Sequence, residues 1–246
     1  TNLELTQGGQ EFPLSISRPG AGSAVLTEVG GSIGVVANDG GRPYYTSTLD
    51  ALAQTYTLWD TLGQGTPTSA DMAPYDVVVW FTGYDWATPI SPTEELELLA
   101  YLGAGGNVLL SSQEQNYAFG VTPLMDNYFW VGTMTDDVTE LDPVGNAADP
   151  LFAGLGPYAM GRPDQWAAYW PTEGYEGPYD DYATVKAGGF EPMLYNASTE
   201  PNSTRYDGGS FRTIYMAWPF EWLPDLADRQ EVLGTASTLE SSRASR

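Results

Sequence analysis

The chain has 246 residues, 42% of them hydrophobic and 13% aromatic, which excludes a disordered segment and predicts one large packed domain. Its 9 Lys and Arg stand against 32 Asp and Glu, a net charge of −23, so nucleic-acid backbones and anionic membrane surfaces are excluded as partners. With no cysteine and no histidine, disulfides, thiol nucleophiles, thiolate metal sites and imidazole bases are excluded together.

The chain opens at Thr1 with no methionine, basic segment or apolar h-region, as expected of a processed mature chain or an excised segment. Residues 1–30 are expected to form an N-terminal β extension or linker. Within them Glu11–Ser17 and Ser23–Val29 alternate loosely about Arg18-Pro-Gly-Ala-Gly22 and predict a hairpin. The main domain is expected over 31–240, with a tail at 241–246. Ser32–Ala37 predicts a short buried strand, with Asn38-Asp-Gly-Gly41 as a sharp turn at its carboxyl end. Pro43–Gln54 predicts a helix with proline in its first turn, and Tyr56–Asp60 a second strand. Asp76–Thr82 is apolar on both faces, as a central parallel strand requires.

Ser91-Pro-Thr-Glu94 combines an N-cap serine, a proline at the first helical position and a glutamate three residues on. The helix it starts runs through Leu96, Leu98, Leu99 and Leu102 to Gly105-Gly106, and Asn107–Ser112 predicts the next strand. Residues 133–190 are irregular and are expected to be an insertion of hairpins and loops. Gly189–Tyr195 and Arg212–Ala217 predict late strands, antiparallel at one edge, and Pro224–Leu239 a closing helix. This order predicts a three-layer α/β/α sandwich of flavodoxin-like type with a mostly parallel central sheet. No run approaches the about 18 apolar residues of a membrane span, so membrane insertion is not expected.

Three of these segments together carry a resemblance. Gly34–Gly41, Tyr75–Gly83 and Leu102–Ser112 resemble the corresponding stretches of class I glutamine amidotransferase-like domains, in particular divergent copies in secreted or surface proteins of prokaryotes. Catalytic members place a cysteine on a strand-to-helix elbow and a His-Pro-Glu run after a late strand. The resemblance maps the elbow here onto Ser111, Ser112 and Gln113, and the late run onto Met216–Glu221. Trp218 then stands near the histidine's place, and Glu221 matches the triad's acid. A copy lacking both thiol and imidazole implies a catalytically degenerate domain.

Asp39, Asp85 and Glu114 are expected near the carboxyl ends of the strands, where open α/β sheets bind ligands, and are candidates for a ligand or cation. With Glu221 they also form a candidate set for carboxylate-based glycoside chemistry, with Tyr84, Trp86, Trp218 and Trp222 as a sugar-stacking floor. Asp136-Asp137 and Asp180-Asp181 are acid pairs in loop-like surroundings, which makes them candidates for a structural calcium; no other cofactor is expected. Asn196-Ala-Ser198 and Asn202-Ser-Thr204 match the glycosylation acceptor pattern. The aromatic load of 8 Trp and 16 Tyr fits either an interface or the packing of the insertion. The leading expectation is a non-catalytic extracellular or cell-surface module engaging protein partners, itself or glycans. The alternatives are a carboxylate-dependent hydrolase acting on glycans and a cation-dependent glycan- or protein-binding module.

Overall fold

The computed structural model describes residues 3–7, 10–14, 24–28, 41–83, 85–138, 140–161 and 179–238. The expected strand at 32–37 and turn at 38–41, apart from Gly41, lie outside the described residues, as do Asp39, Tyr84 and the tail.

Twelve strands are described: β1 Leu3–Gln7, β2 Gln10–Leu14, β3 Ala24–Glu28, β4 Tyr56–Asp60, β5 Val77–Phe81, β6 Asn107–Ser111, β7 Val131–Thr135, β8 Pro143–Gly145, β9 Tyr182–Val185, β10 Met193–Tyr195, β11 Ser203–Asp207 and β12 Arg212–Met216. The helices are α1 Arg42–Ala51, α2 Thr61–Gln64, α3 Ser69–Met72, α4 Pro92–Gly103, α5 Gln115–Phe119, α6 Pro123–Asn127 and α7 Leu226–Thr238. Six strands form the central sheet in the order β11-β12-β6-β5-β3-β4, parallel except for β11 at one edge. Counted from β3, the parallel strands stand in the order 2-1-3-4-5, the flavodoxin-like arrangement.

The sequence builds this sheet because its central strands are apolar on both faces. Val79 and Phe81 of β5, Leu109 of β6 and Ile214 and Met216 of β12 enter one core with Tyr45 and Leu49 of α1 and Val232 and Leu233 of α7. The alternate residues Val78, Trp80, Val108, Leu110 and Tyr215 enter the other, with Met72 of α3, Leu98, Tyr101 and Leu102 of α4, and Leu124 and Met125 of α6. Helices on both faces make the three layers. Arg229, buried, fastens α7 by donating to the Leu223 and Pro224 carbonyls at 2.6 and 2.8 Å and to Thr48 Oγ1 of α1 at 3.2 Å.

Helix α4 starts as its sequence demands. The Ser91 hydroxyl accepts from the Glu94 amide, and the Glu94 carboxylate accepts from the Ser91 amide at 2.8 Å. The chain then turns through Gly105, at φ +91°, and Gly106, where a Cβ would lie 2.2 Å from the Tyr101 ring.

Three expectations are corrected. Segment 23–29 does not pair with 11–17; β3 lies inside the main sheet between β4 and β5, and β2 pairs with β1 instead. Gly8-Gly9, a two-residue hairpin signal, separates β1 from β2, whereas the longer Pro/Gly segment 19–22 precedes a sheet strand. Next, β12 is parallel to β6 and internal, and the antiparallel edge is β11, reached through a turn with Gly209 at φ +80°. Finally, of Gly189–Tyr195 only β10 is a strand, and it pairs with β8 within the insertion rather than with the main sheet.

The insertion docks over β11 through charge as well as apolar contact. Arg205, 5% exposed, donates to Asp149 Oδ2 at 3.1 and 2.7 Å, while Asp149 Oδ1 accepts the Leu151 and Phe152 amides.

Candidate functional site

Parallel sheets present their ligands at the carboxyl ends of the strands. Here those of β5, β6 and β12 carry Thr82, Ser111 to Gln115 and Ala217 to Glu221. Strand β6, a short link and the helix α5 form a strand–turn–helix elbow. The pairing of β6 with β12 brings it against the late run.

Every hydroxyl at the elbow is taken up by the scaffold. Ser111 Oγ, 2% exposed, donates to the Trp218 carbonyl at 3.0 Å and accepts the Phe220 amide at 3.0 Å. Ser112 Oγ accepts from Thr82 Oγ1 at 2.9 Å, while its carbonyl accepts from the Tyr215 hydroxyl at 3.1 Å. Glu221 Oε2, buried, accepts from the Tyr45 hydroxyl at 2.9 Å. The Tyr45 ring is in turn stacked on Phe81 with centroids 4.1 Å apart. Trp218 is fully buried in the core beside α1 and α7. Gln113 is 1% exposed, and among the described residues neither of its amide atoms, nor Gln115 Oε1, nor the Trp218 indole nitrogen has a hydrogen-bond partner.

The acids behave differently from one another. Asp85 accepts from the Ala87 and Thr88 amides at 2.9 Å each and from Thr88 Oγ1 at 3.2 Å, so it closes its own turn. Glu114 meets the two acid pairs noted in the sequence. Burial, then the charges of Asp137 and Asp136, push its carboxyl up to about 8. Burial, then Asp136 and Glu114, push Asp181 up to about 9, against the opposing pull of the Asn116 and Asp137 amides. Asp136 is raised by burial and by Asp137, and is held down by the Asn116 side chain. Asp181 is fully buried, Glu114 nearly so, and Asp136 and Asp137 stand exposed at the rim. The result is a graded acidic cluster whose inner members hold protons at neutral pH. Among the described residues no group of three acids is arranged to hold a metal ion.

Two further assignments change. Asn202 is fully buried where β11 begins, with its carbonyl accepting the Ala217 amide, so it is closed to a glycan in the folded chain; Asn196 is exposed. Of the expected stacking floor, Trp218 and Trp222 are core residues, whereas Trp86 is open, 43% exposed. The sequence reading misses Tyr45 and Tyr117. Tyr45 meets Glu221 across 176 residues with no local motif to announce it.

No protein-family model and no curated protein matches the chain. Solved structures do match. A putative GMP synthase subunit from Thermoplasma acidophilum is similar at 9% identity and a TM-score of 0.56, covering 90% of this chain and 96% of that one. The likeness bears out the flavodoxin-like α/β fold. A putative ThuA-like protein from Bacteroides uniformis agrees at 10% identity and a TM-score of 0.53, over 88% of this chain and 90% of that one. An exo-β-1,4-mannosidase from an Opitutaceae bacterium is similar at 13% identity and a TM-score of 0.51, but this chain, 89% of which is covered, spans only 34% of it. At these identities the likeness establishes the fold alone.

Proposed function

We propose that this chain is a non-catalytic interaction module of a secreted or cell-surface assembly, a degenerate copy of an amidotransferase-like domain. One observation carries the reading: the elbow hydroxyl of Ser111 is a buried joint bonded on both sides to the β12 run, and Glu221 is bound by Tyr45. A nucleophile needs a base within reach and a free path to substrate; among the described residues the two buried serine hydroxyls bond Thr82, the Trp218 carbonyl and the Phe220 amide instead. The strongly acidic composition and the exposed Asn196 acceptor fit an extracellular surface. Incubation with glutamine tests the proposal. Ammonia should appear at the uncatalysed rate, and release above it that disappears in E221Q would contradict the module reading.

A second reading has one observation in its favour. Glu114 and Asp181 hold protons at neutral pH beside the exposed Asp136, the pairing of acid and carboxylate that glycoside hydrolysis uses. Release of reducing ends from oligosaccharides, abolished by E114Q, would favour it.

A further inference from the structure

Beside the acidic cluster stands an aromatic surface that the core does not use. Trp86 is 43% and Tyr117 57% exposed, with ring centroids 6.1 Å apart and planes inclined at 56°. Trp86 follows directly on Asp85, whose carboxylate ties the turn after β5 to the Ala87 and Thr88 amides. Tyr117 sits on α5, one residue beyond Asn116. The electrostatic influence of Asn116 on both Asp136 and Asp181 places it near these two acids. The turn that carries Trp86 is fixed at its base by Asp85, and Asp136 lies near Asn116 on the helix that carries Tyr117. Exposed aromatic rings held rigidly in pairs leave apolar area in water without contributing to the core, which marks a binding surface.

We infer that this edge binds an uncharged carbohydrate, with Trp86 and Tyr117 as the platform and Asp136 and Asp137 as the hydroxyl acceptors. The inference rests on the module reading and names its ligand class. A sugar ring offers an apolar C–H face to an aromatic ring and a rim of hydroxyl donors to ionised carboxylates; here the exposed rings stand on the turn after β5 and on α5, and the exposed Asp136 lies near Asn116 of the same helix. Charge selects within the class. At a net charge of −23, with Asp136 and Asp137 exposed at the rim, phosphate, sulfate and uronate groups are repelled. Five cationic side chains among the described residues are engaged elsewhere: Arg42 with Asp60, Lys186 with Asp126, Arg205 with Asp149, Arg212 with Asp207, and Arg229 with α1.

The test is native affinity electrophoresis of the whole chain in gels holding mannan, galactan, soluble β-1,4-glucan or chitin oligosaccharide, with titration calorimetry on the best of them. At least one should retard the chain. The double variant W86A/Y117A should weaken binding at least tenfold at unchanged thermal midpoint, since both side chains are exposed, and W86F/Y117F should retain most of it. D136N/D137N should weaken binding several-fold without admitting an anionic glycan at low salt. No retardation by any of the four, or retardation equal in wild type and W86A/Y117A, overturns the site. Chromatography of the same mixtures separates this from the module reading: binding with new products leaves the carbohydrate site standing and removes the non-catalytic assignment. Absence of both binding and products removes the site alone.

Discussion

Tyr45 ties the run after β12 into the core. Its hydroxyl donates to Glu221 Oε2 at 2.9 Å inside the core, and its ring lies against Phe81 and Phe220. Removing the hydroxyl takes one bond from a buried acid, so Y45F is expected to destabilise the chain by about 1–3 kcal/mol. Thermal or urea unfolding checks this, and an unchanged midpoint would show that Glu221 is satisfied without Tyr45. Asp85 and Glu114 illustrate what the sequence makes legible at this scale and what it does not. Both are placed by their positions after apolar strands, which is a local property. That Asp85 satisfies its carboxylate within its own turn, whereas Glu114 meets the acids of 136, 137 and 181, depends on a loop 22 residues away and a strand start 67 away, which no window along the chain reports.

Among the elements, the insertion's attachment to the sheet makes two predictions. Arg205 of β11 and Asp149 form a buried pair at 2.7 Å, so R205A leaves a carboxylate without its counter-charge and is expected to cost about 3–5 kcal/mol. Reversible denaturation measures that loss directly. The second prediction concerns pH. Glu114 and Asp181 are raised to about 8 and about 9 in the folded chain, whereas unfolded carboxyls ionise near 4, so between those values the folded state holds protons that the unfolded state has released. The stability from these groups is fully present below pH 4 and is lost as pH rises through 8 to 9. The loss is about 1 kcal/mol per pH unit for each proton retained. Midpoints measured from pH 4 to 9 should fall, and E114Q should flatten the slope; a flat wild-type profile would contradict the cluster. Helix α4 and strands β4, β5 and β6 are legible because capping residues and two-sided apolar runs determine them locally. Strand β11, written Ser-Thr-Arg-Tyr-Asp, carries no apolar signal. It is a strand because β12 pairs with it and the insertion covers it, so its polar sequence resembles a loop and its Asn202 an open acceptor.

At the scale of the whole molecule, the fold is legible from the order of strands and helices, because parallel pairing with right-handed crossovers admits few arrangements. Hidden from that order are the entry of β3 into the sheet, which depends on a pairing partner more than 25 residues on, and the burial of Trp218 and Trp222, since tryptophans in a core and on a platform look alike in one dimension. The elbow after β6 is a joint between β6 and the run that follows β12. The serine at its centre decides the matter. Comparing wild type with S111A, for unfolding midpoint together with turnover of glutamine and neutral oligosaccharides, should give a midpoint lowered by about 1–3 kcal/mol of stability and no turnover by either protein. Turnover by the wild type that vanishes in S111A at an unchanged midpoint would contradict it.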